Sequence, residues 1–330
     1  MSFFAILFAL LIEQVRPLAR NNIIHTGLRS WARWAGLNFD AGKPAHGWVT
    51  WTLAVAAPAA AAIGIHWLLM LYAGWPFAVL WNVAVLYVTL GFRQFSHHFT
   101  DIRDALDAGD EVLARQRLAL WQQVDASELP RSEIVRHVIE YSVLAAHRHV
   151  FGVLAWFSVL AAFGCGPGGA VFYRMSEFVV RYWKHRNHTQ VQPASEALQS
   201  ASARAWSVVD WLPARATALA FAVVGSFEEA IDCWRNYAQR FPDDNDGVIL
   251  AATSGAVNVR LGGEALKSAF TPPTSQAFTA EGARLVDATE STPGREAEVG
   301  HLRSIVGLVW RSVVLWMVLL ALLTLARLLG

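Results

Sequence analysis

The stretch SARAWSVVDWLPARATALAF, residues 202–221, decides the fold. From Ala205 to Gly225 the chain is apolar enough to cross a bilayer, yet Asp210, Pro213 and Arg215 interrupt it. A charge at membrane depth is expensive unless it faces a cavity or a partner, and irregular backbone survives there only where protein or a cavity surrounds it. The stretch is read equally as a full span or as a broken, re-entrant helix, with Arg215 marking a polar pocket at a membrane boundary. An amphipathic segment, EEAIDCWRNYAQRF (228–241), leads on to Pro242-Asp243-Asp244-Asn245-Asp246-Gly247 and then to AATSGAVNVRLGG (251–263). That acidic turn offers hard oxygen ligands and a backbone that bends tightly around a phosphate or a magnesium ion. The broken helix and the acidic turn are expected to form the walls of one site.

Outward from there, the composition excludes an ordinary soluble domain: 55% of residues are hydrophobic and only 16% charged, in long uncharged runs. Trp48, Trp51, Trp75, Trp310 and Trp316 sit at the ends of such runs, where an amphipathic ring prefers the headgroup layer. The reading is an all-α integral membrane protein of about five or six membrane helices, one of them re-entrant if the broken stretch does not cross, with cytoplasmic helical segments. Residues 1–92 hold the first spans: a short helix over 2–15, then a hairpin of 48–73 and a run to Leu90, reversed at Gly74-Trp75-Pro76. Arg16, Arg20, Arg29, Arg33 and Lys43 place the intervening loop in the cytoplasm by the positive-inside tendency.

Residues 93–148 carry seven Arg and nine acids with apolar residues at helical spacing, and so read as a cytoplasmic helical segment, capped at Thr100 and broken at Gly109-Asp110. Residues 149–226 return to the membrane. Within them Arg174, Glu177 and Arg181 share one helix face, so Glu177 is expected to be structurally paired. Residues 227–303 form a cytoplasmic loop region with a Pro- and Thr-rich linker at 271–293, and 304–330 the last span. Two cysteines are too few for a disulfide framework, and a net charge of +1 without a basic, aromatic-studded stripe excludes a nucleic-acid partner.

Ser202-Ala203-Arg204 with Trp211-Leu212-Pro213-Ala214-Arg215 and Thr217-Ala218 resembles a block of the CobD/CbiB family, the membrane-bound adenosylcobinamide-phosphate synthases. So do Asn245-x-Gly247 with Ser254-Gly255-Ala256 and Arg260-Leu261-Gly262-Gly263, and upstream His98 with Ala105-Leu106, Gly109-Asp110 and Ala114-Arg115. The resemblance implies a helical membrane enzyme that joins an amino-alcohol phosphate to a corrin carboxyl, an amide-forming ligation using ATP and Mg2+. It makes Arg204, Asp210, Arg215, Asn245, Gly247 and Arg260 candidates for holding substrate or phosphate, and Asp243, Asp244 and Asp246 candidates for the metal. A lipid bilayer and a small-molecule corrinoid are the implied partners, a homo-oligomer is left open, and the location is a bacterial inner membrane.

Several of the family's polar motifs are altered. Gln122-Gln123-Val124-Asp125-Ala126 stands where V-G-R-D-T is expected, the Ala146-His147-Arg148-His149 region replaces A-E-N-x-x-D-G, and Asp210 replaces an Asn. The block Val209-Asp210-Trp211-Leu212-Pro213-Ala214-Arg215 and the start His147-Arg148-His149-Val150-Phe151 are also similar to AmpE-like inner-membrane proteins, associated with β-lactamase regulation, which implies a non-catalytic modulator as the alternative. Plainer readings compete at each position: a snorkelling Arg215, a solvated turn for Asp243–Asp246, a capped helix start for His97, His98 and Asp101, and interfacial anchoring for His147 and His149.

Overall fold

The computed structural model describes residues 2–15, 23–122, 124–189, 194–263 and 291–329. Among these the regular elements are helices, with two isolated bridges and no strands. In chain order they are α1 (Ser2–Val15), α2 (Ile23–Phe39), α3 (Pro44–Tyr72), α4 (Trp75–Thr89), α5 (Phe92–Asp107), α6 (Glu111–Gln122), α7 (Arg131–Ala146), a π-helical turn (His147–Phe151), α8 (Gly152–Ala162), α9 (Gly168–Thr189), α10 (Glu196–Val209), α11 (Trp211–Val224), α12 (Phe227–Tyr237), α13 (Asp244–Val257) and α14 (Val299–Leu329). The linker expected over 271–293 lies outside the described residues up to 290.

Three helical stretches are long and apolar enough to cross a membrane: Pro44–Tyr72, Arg131–Ala162 and Val299–Ala326. The bent pair α10 and α11 makes a fourth if counted as one span. By this measure the described residues fall short of the expected five or six. Helices α1 and α4 have 14 and 15 residues, and at about 1.5 Å per residue neither reaches the ~30 Å of a bilayer's hydrocarbon core. The expected break near Pro213 falls at Asp210, the C-cap of α10; Pro213 lies in the first turn of α11, where its missing N–H loses no helical bond. Thr100 is not a cap, because α5 already begins at Phe92.

The chain divides into two compact units. The first comprises residues 1–94, 147–213 and 317–330. Its core packs Ala32, Ala35, Ala54, Val55, Met175, Val179, Trp183 and Leu198, so α2, α3, α9 and α10 meet on small and aromatic side chains. Glycines set the closest approaches: a β-carbon on Gly47 would lie 2.7 Å from the Ala197 carbonyl oxygen, and one on Gly169 would lie 2.0 Å from that of Trp156. Ser195 caps α10 by accepting from the Leu198 N–H, and itself donates to Asp40 Oδ1 at 2.5 Å.

The second unit comprises residues 95–146 and 214–316. Helices α12 and α13 pack tightly: Gly255 lies where a β-carbon would stand 2.2 Å from the Glu229 carbonyl oxygen, and Gly247 where it would stand 2.2 Å from that of Ala238. Asn258 ends α13 in the left-handed region (φ 53°). Residues 259–262 then run beside 291–295, joined by Arg260 N–H to the Arg295 carbonyl (2.7 Å) and Thr292 N–H to that of Leu261 (2.8 Å). Gly262 and Ser291 therefore lie side by side.

Candidate functional site

In the second unit, the start of α13 is built by its sequence. Asp243 is the N-cap, its Oδ1 accepting from the N–H groups of Asn245 (3.0 Å) and Asp246 (3.1 Å), so two of the four orphan donors of the helix start are satisfied locally. Asn245, the second residue of the helix and buried, takes a hydrogen bond from Arg215 Nη1 through its Oδ1 at 2.8 Å. Gly247 leaves room for the Ala238 carbonyl, which lets the helix start settle against the 3₁₀ turn Ala238–Arg240. The result is a half-buried guanidinium, held by a neutral amide, beside a helix N-terminus. The Arg215 cation and the helix dipole carry the same sign and both favour an anion, while Asp243, Asp244 and Asp246 already place negative charge at this first turn.

At the other end of α13, Glu140 of α7 holds the Arg260–Gly263 turn. Its Oε1 accepts from the Gly262 N–H (2.8 Å) and from Arg136 Nη1 (3.0 Å), while His137 Nδ1 lies 3.5 Å from Oε2. Arg136 also pairs with Glu133 at 2.5 Å. This network was not among the sequence candidates. Its signal was available: Glu133, Arg136, His137 and Glu140 recur at i, i+3, i+4 and i+7 on a helix whose other buried positions are mainly apolar. Gly262 (φ 84°) and Gly263 (φ 101°) give the turn a backbone that other residues rarely adopt.

In the first unit, Asp210 is wholly buried and bound by two partners. His147 Nε2 lies 2.9 Å from its Oδ1, and the Tyr173 hydroxyl donates to the same oxygen at 2.8 Å. With an ionised carboxylate both partners are donors, which places the imidazole proton on Nε2. Asp210 Oδ2 is buried without a hydrogen bond. The π-helical turn presents His147, Gly152 makes room for the Tyr173 ring, and Trp156 Nε1 fixes the break by donating to the Val209 carbonyl at 2.9 Å. Glu177, as expected, is buried between Arg174 (2.9 Å) and Arg181 (2.5 Å).

The structure therefore sorts the sequence candidates by unit. Arg215, Asn245, Gly247, Arg260 and the three aspartates belong to the second unit, and of these Arg215 and Asn245 touch. Arg204 and Asp210 belong to the first, where Arg204 is exposed and Asp210 buried, so they do not form one group. Arg260 is exposed, its backbone tied to Arg295. The acids expected to take magnesium do not make a convergent set: Asp243 is occupied as the cap, Asp244 and Asp246 leave the helix on different sides, and no group of three His, Cys, Asp or Glu among the described residues could hold a metal. Magnesium does not fit this set as a protein-built site, since it demands near-octahedral oxygens at about 2.0–2.1 Å.

The family model described as CobD/Cbib protein matches residues 4–284. This chain belongs to the CobD/CbiB family. It is similar to the protein named cobalamin biosynthesis protein CobD of Stutzerimonas stutzeri, 30% identical over 279 residues, or 84% of this chain and 82% of that one. Proteins of the same name from Chromobacterium violaceum (34% over 183 residues) and Mycobacterium tuberculosis (44% over 194 residues) match more narrowly, over 55% and 58% of their own lengths. No solved structure matches. Family membership places the chain among cobalamin-biosynthesis proteins, and the match spans both the broken helix and the α13 corner.

Proposed function

We propose that this chain performs the family's amide-forming ligation at the bacterial inner membrane, joining an amino-alcohol phosphate to a corrin carboxyl. The observation that carries the reading is the Arg215–Asn245 bond at the capped start of α13. A guanidinium binds phosphate or carboxylate through charge-assisted hydrogen bonds, and the neighbouring helix N-terminus favours the same charge. In this reading Arg215 receives the anion, Asn245 orients Arg215, and the exposed Arg260 of the same unit contacts the substrate's outer acidic groups. No step is assigned to a metal here.

The test is genetic. In a strain lacking its normal synthase, supplying this chain should restore cobalamin-dependent growth, and Asn245→Ala should abolish the rescue at equal protein level. A well-expressed wild-type chain that gives no rescue would refute the ligase reading. It would favour a second one, a non-catalytic AmpE-like modulator. One observation supports that alternative: Asp210 is bound inside the protein by His147 and Tyr173, and so is not presented to a ligand.

A further inference from the structure

We infer that the acidic turn opening α13 holds no divalent cation, and that its aspartates build the helix start. The inference rests on the ligase reading only in that the reading raises magnesium at this site. Four observations carry it. Asp243 spends Oδ1 on two backbone N–H groups, as an N-cap does. Asp244 and Asp246 are the first and third residues of the helix, two apart within its first turn, so about 200° of helix rotation separates their side chains. Acids in a first turn need no metal to explain them, because the helix dipole already favours negative charge there. That dipole and Arg215, joined to the same turn through Asn245 at 2.8 Å, would both repel a cation.

Three other buried or part-buried carboxylates are engaged by the protein itself: Asp210 by His147 and Tyr173, Glu177 by Arg174 and Arg181, Glu140 by Arg136 and the Gly262 N–H. A metal at Glu177 or Glu140 would first have to displace a cation or a donor, and one at Asp210 would have to enter beside the His147 and Tyr173 donors. Magnesium, which dehydrates reluctantly, is a poor competitor for such sites.

The experiment uses the full chain in detergent and Mn2+ as the probe, with free manganese followed by electron paramagnetic resonance. Wild type is compared with Asp243→Asn and with the double variant Asp244→Asn and Asp246→Asn. Asparagine is isosteric with aspartate and caps helices equally well, so the fold is kept, and melting curves check it. The three binding isotherms should coincide within about twofold, whatever manganese binds elsewhere. A wild-type site that either variant weakens by more than about twofold would overturn the inference. This readout needs no turnover, so it stands whether or not the growth rescue succeeds.

Discussion

Gly247→Ala puts the geometry of the α13 corner under direct test. A β-carbon at this position would lie 2.2 Å from the Ala238 carbonyl oxygen and 3.1 Å from Phe241 Cβ, where ordinary contact begins at 3.4 Å. The nearest obstacle is backbone and cannot rotate away, so the start of α13 must retreat by about 1 Å in a close-packed interior. Overpacking of this kind costs about 1–3 kcal/mol, offset by up to ~1 kcal/mol because alanine is the better helix former. A net loss of about 1–2 kcal/mol should lower the melting midpoint by about 1.5–3 °C for a 330-residue chain, followed by tryptophan fluorescence of the detergent-solubilised protein. The same retreat would draw Asn245 away from Arg215, whose bond is 2.8 Å in the native protein. Gly307→Ala, in α14 with open space around its β-position, is the control and should melt no lower than wild type. If Gly247→Ala melts with or above that control, the close approach of α13 to the Ala238 turn is not as described.

Glu140→Ala should destabilise the protein by about 2–3 kcal/mol, because it strands part of the buried Arg136 charge and removes the acceptor of the Gly262 N–H. Glu140→Gln keeps that acceptor and should cost about half as much, with hydrogen exchange at the Gly262 amide accelerated only in the alanine variant. Equal melting and exchange in the two variants would refute the latch. Burial, and then the neighbouring Asp232 charge, push the Cys233 thiol up, so its reactive thiolate is scarcer at neutral pH than that of an ordinary cysteine. In the folded protein N-ethylmaleimide should modify the half-exposed Cys165 first, and Cys233 only on unfolding or at raised pH. Peptide mapping that finds equal rates at neutral pH would contradict the burial of α12 against α13.

What could be read in advance followed from local chemistry. Helix α3 runs from Pro44 to the Gly74 reversal because an apolar run, a proline at the first turn and a glycine at φ 88° all act within a few residues of one another. The break in the 202–221 stretch was visible in its polar residues. Its position was not, because proline disrupts a helix interior but is tolerated in a first turn, and only the fold shows which one Pro213 occupies. The Arg215–Asn245 bond spans 30 positions, and His147, Tyr173 and Asp210 meet across 26, 37 and 63. No periodicity encodes such pairings. The Glu140 network lay between: its α7 face follows helical spacing, but the partner it holds, Gly262, is 122 residues away.

The buried knot in the first unit joins two residues that the motif comparison singles out. By the motif resemblance, Asp210 and His147 are two of the positions where this sequence departs from the family pattern. These two departures touch at 2.9 Å in a place closed to solvent. A carboxylate buried there without a donor, or an imidazole without its acceptor, would leave an uncompensated polar group at a cost of about 1–3 kcal/mol or more. Each residue makes physical sense beside the other, with Tyr173 as the second donor and Gly152 giving its ring space. Acid and base thus satisfy each other inside the first unit. An aspartate tied up in this way presents no charge to a substrate. In the second unit, by contrast, the Arg215 guanidinium is held by the Asn245 amide, and Asp243 caps the helix start.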